Sequence, residues 1–194
     1  MSNLDDQRER LRTQRPTPWE QLPDFPLYMD QMLSYMDRQV IRFDGADGLT
    51  SAMVNNYTKS GLVPRAEGKK YTREHLVYLT VVCILKRVLS ARDMGLVFSA
   101  QDDRTRLPEE YTAFCQGLDR SLNLVSDMME AYTEDDAAEA AVHFALLSYA
   151  AGLASGRYVQ ALREQKDAAQ AANEEKKPRE RHRSARREKE EPDA

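Results

Sequence analysis

Apolar residues recur at helical spacing along most of the chain, and turn-forming residues interrupt them. Met29, Leu33, Met36 and Val40 follow one another at steps of four, three and four, which predicts a helix over residues 27–41. Two glycines in Phe43–Gly48 mark a turn. Thr50 or Ser51 then caps a short helix that Gly61 stops and Pro64 keeps from resuming. Thr72 opens a third helix, in which Leu76, Leu79, Val82 or Cys83, and Leu89 make the stripe. Val77, Tyr78, Val81, Ile84 and Leu85 widen that stripe until the helix is apolar nearly all round, so it is predicted to be central. Ser90–Asp93 resembles a capping box and starts a fourth helix over residues 91–100. Leu107-Pro108-Glu109-Glu110 starts a fifth, over 109–132, and Thr133 caps a sixth over 134–173.

The two faces of the short second helix differ in kind. Thr50, Met53, Val54 and Tyr57 fall together and are predicted to pack inward. Ser51, Ala52, Asn55, Asn56 and Lys59 lie on the other side, which is polar and free of acid. Such a face fits a major groove, where an Asn amide pairs with an adenine edge and a lysine with phosphate or guanine. Arg65, Lys69 and Lys70 follow in a segment suited to a tight turn or small wing, and Arg73 opens the next helix. Flexible basic residues beside a reading helix contact phosphate and set register.

Charge sharpens this picture. Residues 49–92 carry eight Lys and Arg against Glu67 and Glu74, although the whole chain has a net charge of -4. Residues 93–173 reverse the balance, with fourteen acids and six bases. A basic island on an acidic chain is the footprint of a phosphate-binding surface. In residues 174–194 no side chain is more apolar than Ala or Pro, so this charged tail is expected to be disordered. Residues 1–21 show no stripe, carry Pro16 and Pro18, and are read as a flexible arm.

Composition bounds the class. With 194 residues, 41% apolar, 31% charged and a mean hydropathy of -0.69, the chain has room for one core domain with solvated appendages. Cys83 and Cys115 are far apart and read as buried small hydrophobes, which fits a reducing cytoplasm. The first residues, MSNLDDQRERLR, lack the apolar core of a signal peptide. The most apolar window, residues 137–156, is interrupted by Glu139 and His143, and a packed helix is expected there in preference to a membrane span.

The residues Thr50-Ser51, Val54, Tyr57, Gly61-Leu62 and Pro64, followed by Tyr71-Thr72, Glu74, Leu76 and Leu79, resemble the MerR-type winged helix-turn-helix. Residues 22–97 are also similar to an uncharacterised bacterial family described as MerR-like, whose function is unassigned. The resemblance implies an all-α fold: a four-helix winged helix-turn-helix unit over 22–100 with a small basic wing. An antiparallel helix pair over 108–173 would follow it. Asn55-Asn56 stand where the MerR family usually carries an Arg-Tyr pair, and the two cysteines do not match its metal-sensing arrangement.

No Gly-rich phosphate loop, HExxH, GxSxG or CxxC is present. His75, His143 and His182 are scattered, and Asp102-Asp103 and Glu134–Asp136 read as caps and solvated turns, so neither an enzyme nor a metal or other cofactor is expected. The expected function is sequence-specific binding of double-stranded DNA by a cytoplasmic transcriptional regulator. Its partners would be duplex DNA and a second copy held through residues 109–132 and 134–173, with no membrane and an unspecified small-molecule effector. The alternative is a protein-interaction module that reuses the winged-helix shape without DNA. A third reading gives single-strand or RNA binding to the tail.

Overall fold

A computed structural model describes residues 3–40, 48–100 and 104–187 of the chain. It contains α1 (Asn3–Thr13), α2 (Met29–Met36), α3 (Ser51–Lys59), α4 (Arg73–Leu85), α5 (Ala91–Ser99), α6 (Leu107–Met129) and α7 (Ala137–Arg187). Strands are absent among the described residues, and two isolated antiparallel bridges, Leu27 with Tyr71 and Glu67 with Lys70, are the extended pairings seen. The fold is all-α. Two units can be distinguished, Met1–Ala151 and Gly152–Ala194.

The central helix is α4. Leu76, Leu79, Thr80 and Val82 are fully buried, and Val77 nearly so. Around it stand Met32 and Met36 of α2, Val54 of α3, Met94 of α5 and Tyr111 of α6, all removed from water. Thr80 lies inside this core because its hydroxyl donates 2.8 Å to the Leu76 carbonyl one turn back. The buried Tyr111 hydroxyl likewise donates to the Thr17 carbonyl at 2.9 Å.

Local signals place the helix ends as read from the sequence. Thr50 Oγ1 accepts from Met53 N–H at 3.2 Å, and Ser90 Oγ accepts from Asp93 N–H at 3.1 Å. Gly61, with φ of 76°, closes α3 in a Schellman arrangement. Leu62 N–H reaches the Tyr57 carbonyl at 2.9 Å and Gly61 N–H the Thr58 carbonyl at 3.2 Å. Helix α2 is shorter than the expected 27–41. Its α-helical part ends at Met36, and Leu27 instead exchanges two 2.8 Å backbone bonds with Tyr71. The turn read over Phe43–Gly48 falls largely outside the described residues, as do Asp102-Asp103.

The flexible arm is corrected. Residues 3–13 form α1, which packs on α6. Leu11 is buried there, and Arg8 donates to the Met129 carbonyl at 3.1 Å. Arg12 pairs with Glu130 and Asp127, which hold its guanidinium pKa above the usual value. Just past the helix, Arg15 pairs with Asp119 at 2.6 Å and donates to Asn123 at 2.8 Å. Arg8, Arg12 and Arg15, at steps of four and three, meet the Met129 carbonyl, Asp127 with Glu130, and Asp119, so a search for apolar periodicity passes over them.

Helix α6 and the first turns of α7 differ in burial. Leu107 and Tyr111 enter the core, and Phe114, Leu118, Leu122, Val125 and Met129 are part-buried along α6. In contrast, Val142, Leu146 and Tyr149 at the start of α7 are exposed. At the joint, Tyr132 OH lies 2.6 Å from His143 Nδ1 and its ring meets that of Phe144. Glu134–Asp136 form a 3-10 turn in which Asp136 accepts from Thr133 N–H and Oγ1, both at 2.8 Å, which lowers its pKa. The stretch Glu134–Ala172 is long and apolar enough to cross a membrane by length and composition; its most apolar window is not buried, while Val159 further along is. The tail expected to be disordered continues α7 through Arg187, in keeping with its many Ala, Glu, Lys and Arg residues; 188–194 lie outside the described residues.

Candidate nucleic-acid interface

Helix α3 is anchored from one side only. Val54 is fully buried, with Met53 and Tyr57 packed against the core, and burial raises the Tyr57 pKa. The opposite face carries Ser51, Ala52, Asn55, Asn56 and Lys59, every one exposed. Among the described residues nothing engages the side-chain amides of Asn55 and Asn56, so their donors and acceptors are available to a partner. No acidic residue sits in the first turn.

The chain leaves α3 through Leu62 and Val63, both buried, and then emerges at Arg65. A two-residue turn follows. Gly68 and Lys69 both have positive φ, 56° and 64°, and Lys70 N–H bonds the Glu67 carbonyl at 3.0 Å. This is the pattern of a type I′ turn, for which Asn-Gly and Gly-Gly are the favoured pairs. Lys69 is the one described residue other than glycine with positive φ. Holding it left-handed costs about 1–2 kcal/mol. Tyr71, paired with Leu27, fixes the base of the turn, and burial raises its pKa. Arg65, Lys69 and Lys70 are all exposed, with the Lys70 ammonium 5.7 Å from the centre of the Tyr28 ring.

Of the nine residues predicted to touch DNA, eight are exposed together on α3 and the following turn, and Arg73 is the exception. Its guanidinium donates to the Leu22 carbonyl at 2.9 Å and lies 5.3 Å from the centre of the Trp19 ring. It clamps the segment before α2 onto the start of α4, so its role is structural. Exposed Tyr28, beside Lys70, joins the face although periodicity does not single it out. The available signal is its position just outside the Met29–Leu33–Met36 stripe.

His75 is a buried helix cap. Its Nδ1 accepts from Thr72 N–H at 3.0 Å and lies 2.8 Å from Thr72 Oγ1, while Tyr71 meets the ring edge-on. Cys83 is buried, and burial pushes the Cys115 thiol up in pKa. The described residues hold no group of three or more His, Cys, Asp or Glu placed to bind a metal ion.

Residues 17–114 match the model of a domain of unknown function, DUF1836. The chain belongs to that family. No protein of curated function and no solved structure matches it. The DUF1836 region runs from Thr17 through α2, α3, α4 and α5 into the first two turns of α6, so it contains every residue of the candidate interface. Its first residue has a structural task. Thr17 N–H donates to Gln39 Oε1 and Thr17 Oγ1 accepts from Gln39 Nε2, both at 2.9 Å, and the Thr17 carbonyl receives the Tyr111 hydroxyl. Helices α1 and α7 lie outside the DUF1836 match.

Proposed function

We propose that this DUF1836 protein binds double-stranded DNA sequence-specifically as a cytoplasmic transcriptional regulator, through a MerR-like winged helix-turn-helix. In this reading α3 enters the major groove and the Arg65–Lys70 turn grips the flanking phosphates. The observation that carries the reading is the joint exposure of Ser51, Ala52, Asn55, Asn56 and Lys59 beside Arg65, Lys69 and Lys70, with the two Asn amides free among the described residues. The strained Lys69 adds to it. A glycine there would relax the backbone, and a lysine at the tip puts a charge where a phosphate passes.

Selection from random duplexes at moderate salt tests this directly. A defined motif is expected to enrich, and Asn55→Ala or Asn56→Ala is expected to change the preferred bases while leaving phosphate-driven affinity in place. Enrichment of nothing would sink the reading and leave the α3 face as a protein-contact surface.

DNA readers of this kind work as two-fold dimers, and α7 supplies a seam for one. Val142, Leu146 and Tyr149 are exposed at steps of four and three, the spacing of a two-helix coiled coil, and the pattern continues in sequence to Leu153. Ala138, Ala141 and Ala145 beside them allow close approach of a second copy. The α6 stripe, already packed on α1 and the core, is not free for this task. Leu146→Glu is expected to turn a dimer into a monomer in sedimentation without lowering the melting temperature of the α1–α6 body. A native chain that sediments as a monomer, or that needs detergent to stay in solution, contradicts the seam.

A further inference from the structure

We infer that the protein holds a binding site for a small apolar carboxylate, in a cavity between α1, α4, α6 and the turn after α2. The cavity has a volume of about 190 Å³. Leu11, Val40, Ile84, Leu118 and Leu122 make its walls, so its interior favours a hydrocarbon or ring. A dry cavity of about 150 Å³ accommodates benzene, which sets the size of the ligand body at one ring or a short branched chain.

The polar groups at the mouth choose the charge. Gln39 has spent its amide on Thr17. Arg15 has spent its guanidinium on Asp119, Asn123 and the carbonyls of Leu11 and Gln14. Both therefore act as wall. Arg38 and Arg87 also line the cavity, and both are exposed. Among the described residues no carboxylate pairs with either; Arg38 rests 5.9 Å from the centre of the Tyr35 ring. No acidic side chain lines the cavity among the described residues. Two guanidiniums with no carboxylate partner among the described residues, over an apolar pit, fit an anion with an apolar tail, because a guanidinium fork matches a carboxylate in shape and charge.

The site also occupies a telling place. Its walls come from Leu11 of α1 and from Leu118 and Leu122 of α6, all outside the DUF1836 match, and from Ile84 of α4 inside it. A ligand filling it ties α1 to the end of α4. The site is thus independent of the DNA face, and its test needs no DNA.

The test is calorimetric titration of the full chain with sodium benzoate, with benzyl alcohol as the uncharged match of the same size. Benzoate is expected to bind and benzyl alcohol to bind at least about tenfold more weakly, the difference a charge-assisted contact makes. Arg38→Ala and Arg87→Ala, both at exposed positions where folding does not depend on the side chain, are each expected to weaken benzoate about tenfold and to leave benzyl alcohol unchanged. Ile84→Trp, which fills the pit, is expected to abolish both while circular dichroism stays native. Equal binding of acid and alcohol, undiminished benzoate binding in both arginine variants, or no heat from benzoate at millimolar concentration would each overturn the inference.

Discussion

Replacing Arg65 and Lys70 by Ala and Lys69 by Gly is expected to weaken duplex binding about 100-fold at 0.1 M salt, across all sequences alike. The three side chains are exposed, so their loss removes charge and leaves the core untouched. The logarithm of affinity against the logarithm of salt is expected to flatten by about 0.9 for each phosphate that is no longer neutralised. Stability should move the other way. Glycine relieves the left-handed backbone now imposed on Lys69, which is worth about 1 kcal/mol and raises the melting temperature by a few degrees. Weaker binding with a higher melting temperature distinguishes removal of charge from damage to the fold. A triple variant that binds DNA as the native chain does would remove the turn from the interface.

Deleting Met1–Thr13 is expected to lower stability by about 2–4 kcal/mol, because Leu11 is no longer buried and the Arg8 bond to the Met129 carbonyl is gone. For a chain of this size that is a fall in melting temperature of about 5–15 °C. A mobile arm would leave the melt where it was. Docking of α1 also rests on Arg12 with Glu130 and Asp127, an exposed set that salt screens. The gap between the full and shortened chains should therefore narrow as ionic strength rises. A shortened chain with an unchanged melt would mean that α1 does not hold the body together in solution.

These two predictions differ in how much of their basis is legible in the sequence. The division of α3 into an inward Met53, Val54 and Tyr57 and an outward Asn55, Asn56 and Lys59 follows from 3.6-residue periodicity alone, and the structure preserves it. The basic turn is legible as composition; that its tip is a strained lysine is not, because Gly68-Lys69 lacks the second glycine or the asparagine that signals such a turn. In sequence Arg73 looks like its basic neighbours. Its removal from the interface depends on where the Leu22 carbonyl and the Trp19 ring come to rest, more than fifty residues earlier in the chain.

What the sequence by itself determined is helices α2 to α6, the start of α7, most of their ends and the all-α class, but not α1. Those signals are local: Thr50 bonding Met53, Ser90 bonding Asp93 and Gly61 turning left-handed each act within about one helical turn. Tertiary structure decided which helix lies on which. Arg12 of α1 and Arg15 just past it meet Asp127 and Asp119 of α6 over separations of more than one hundred residues, Val142, Leu146 and Tyr149 of α7 are left exposed while the stripe of α6 is used, and Arg38 and Arg87 come to rim one cavity. Hydrogen bonds along a helix fix its local form whatever it packs against. The choice among partners of similar chemistry turns on shape and charge fit between distant segments, which is settled only when the chain has folded.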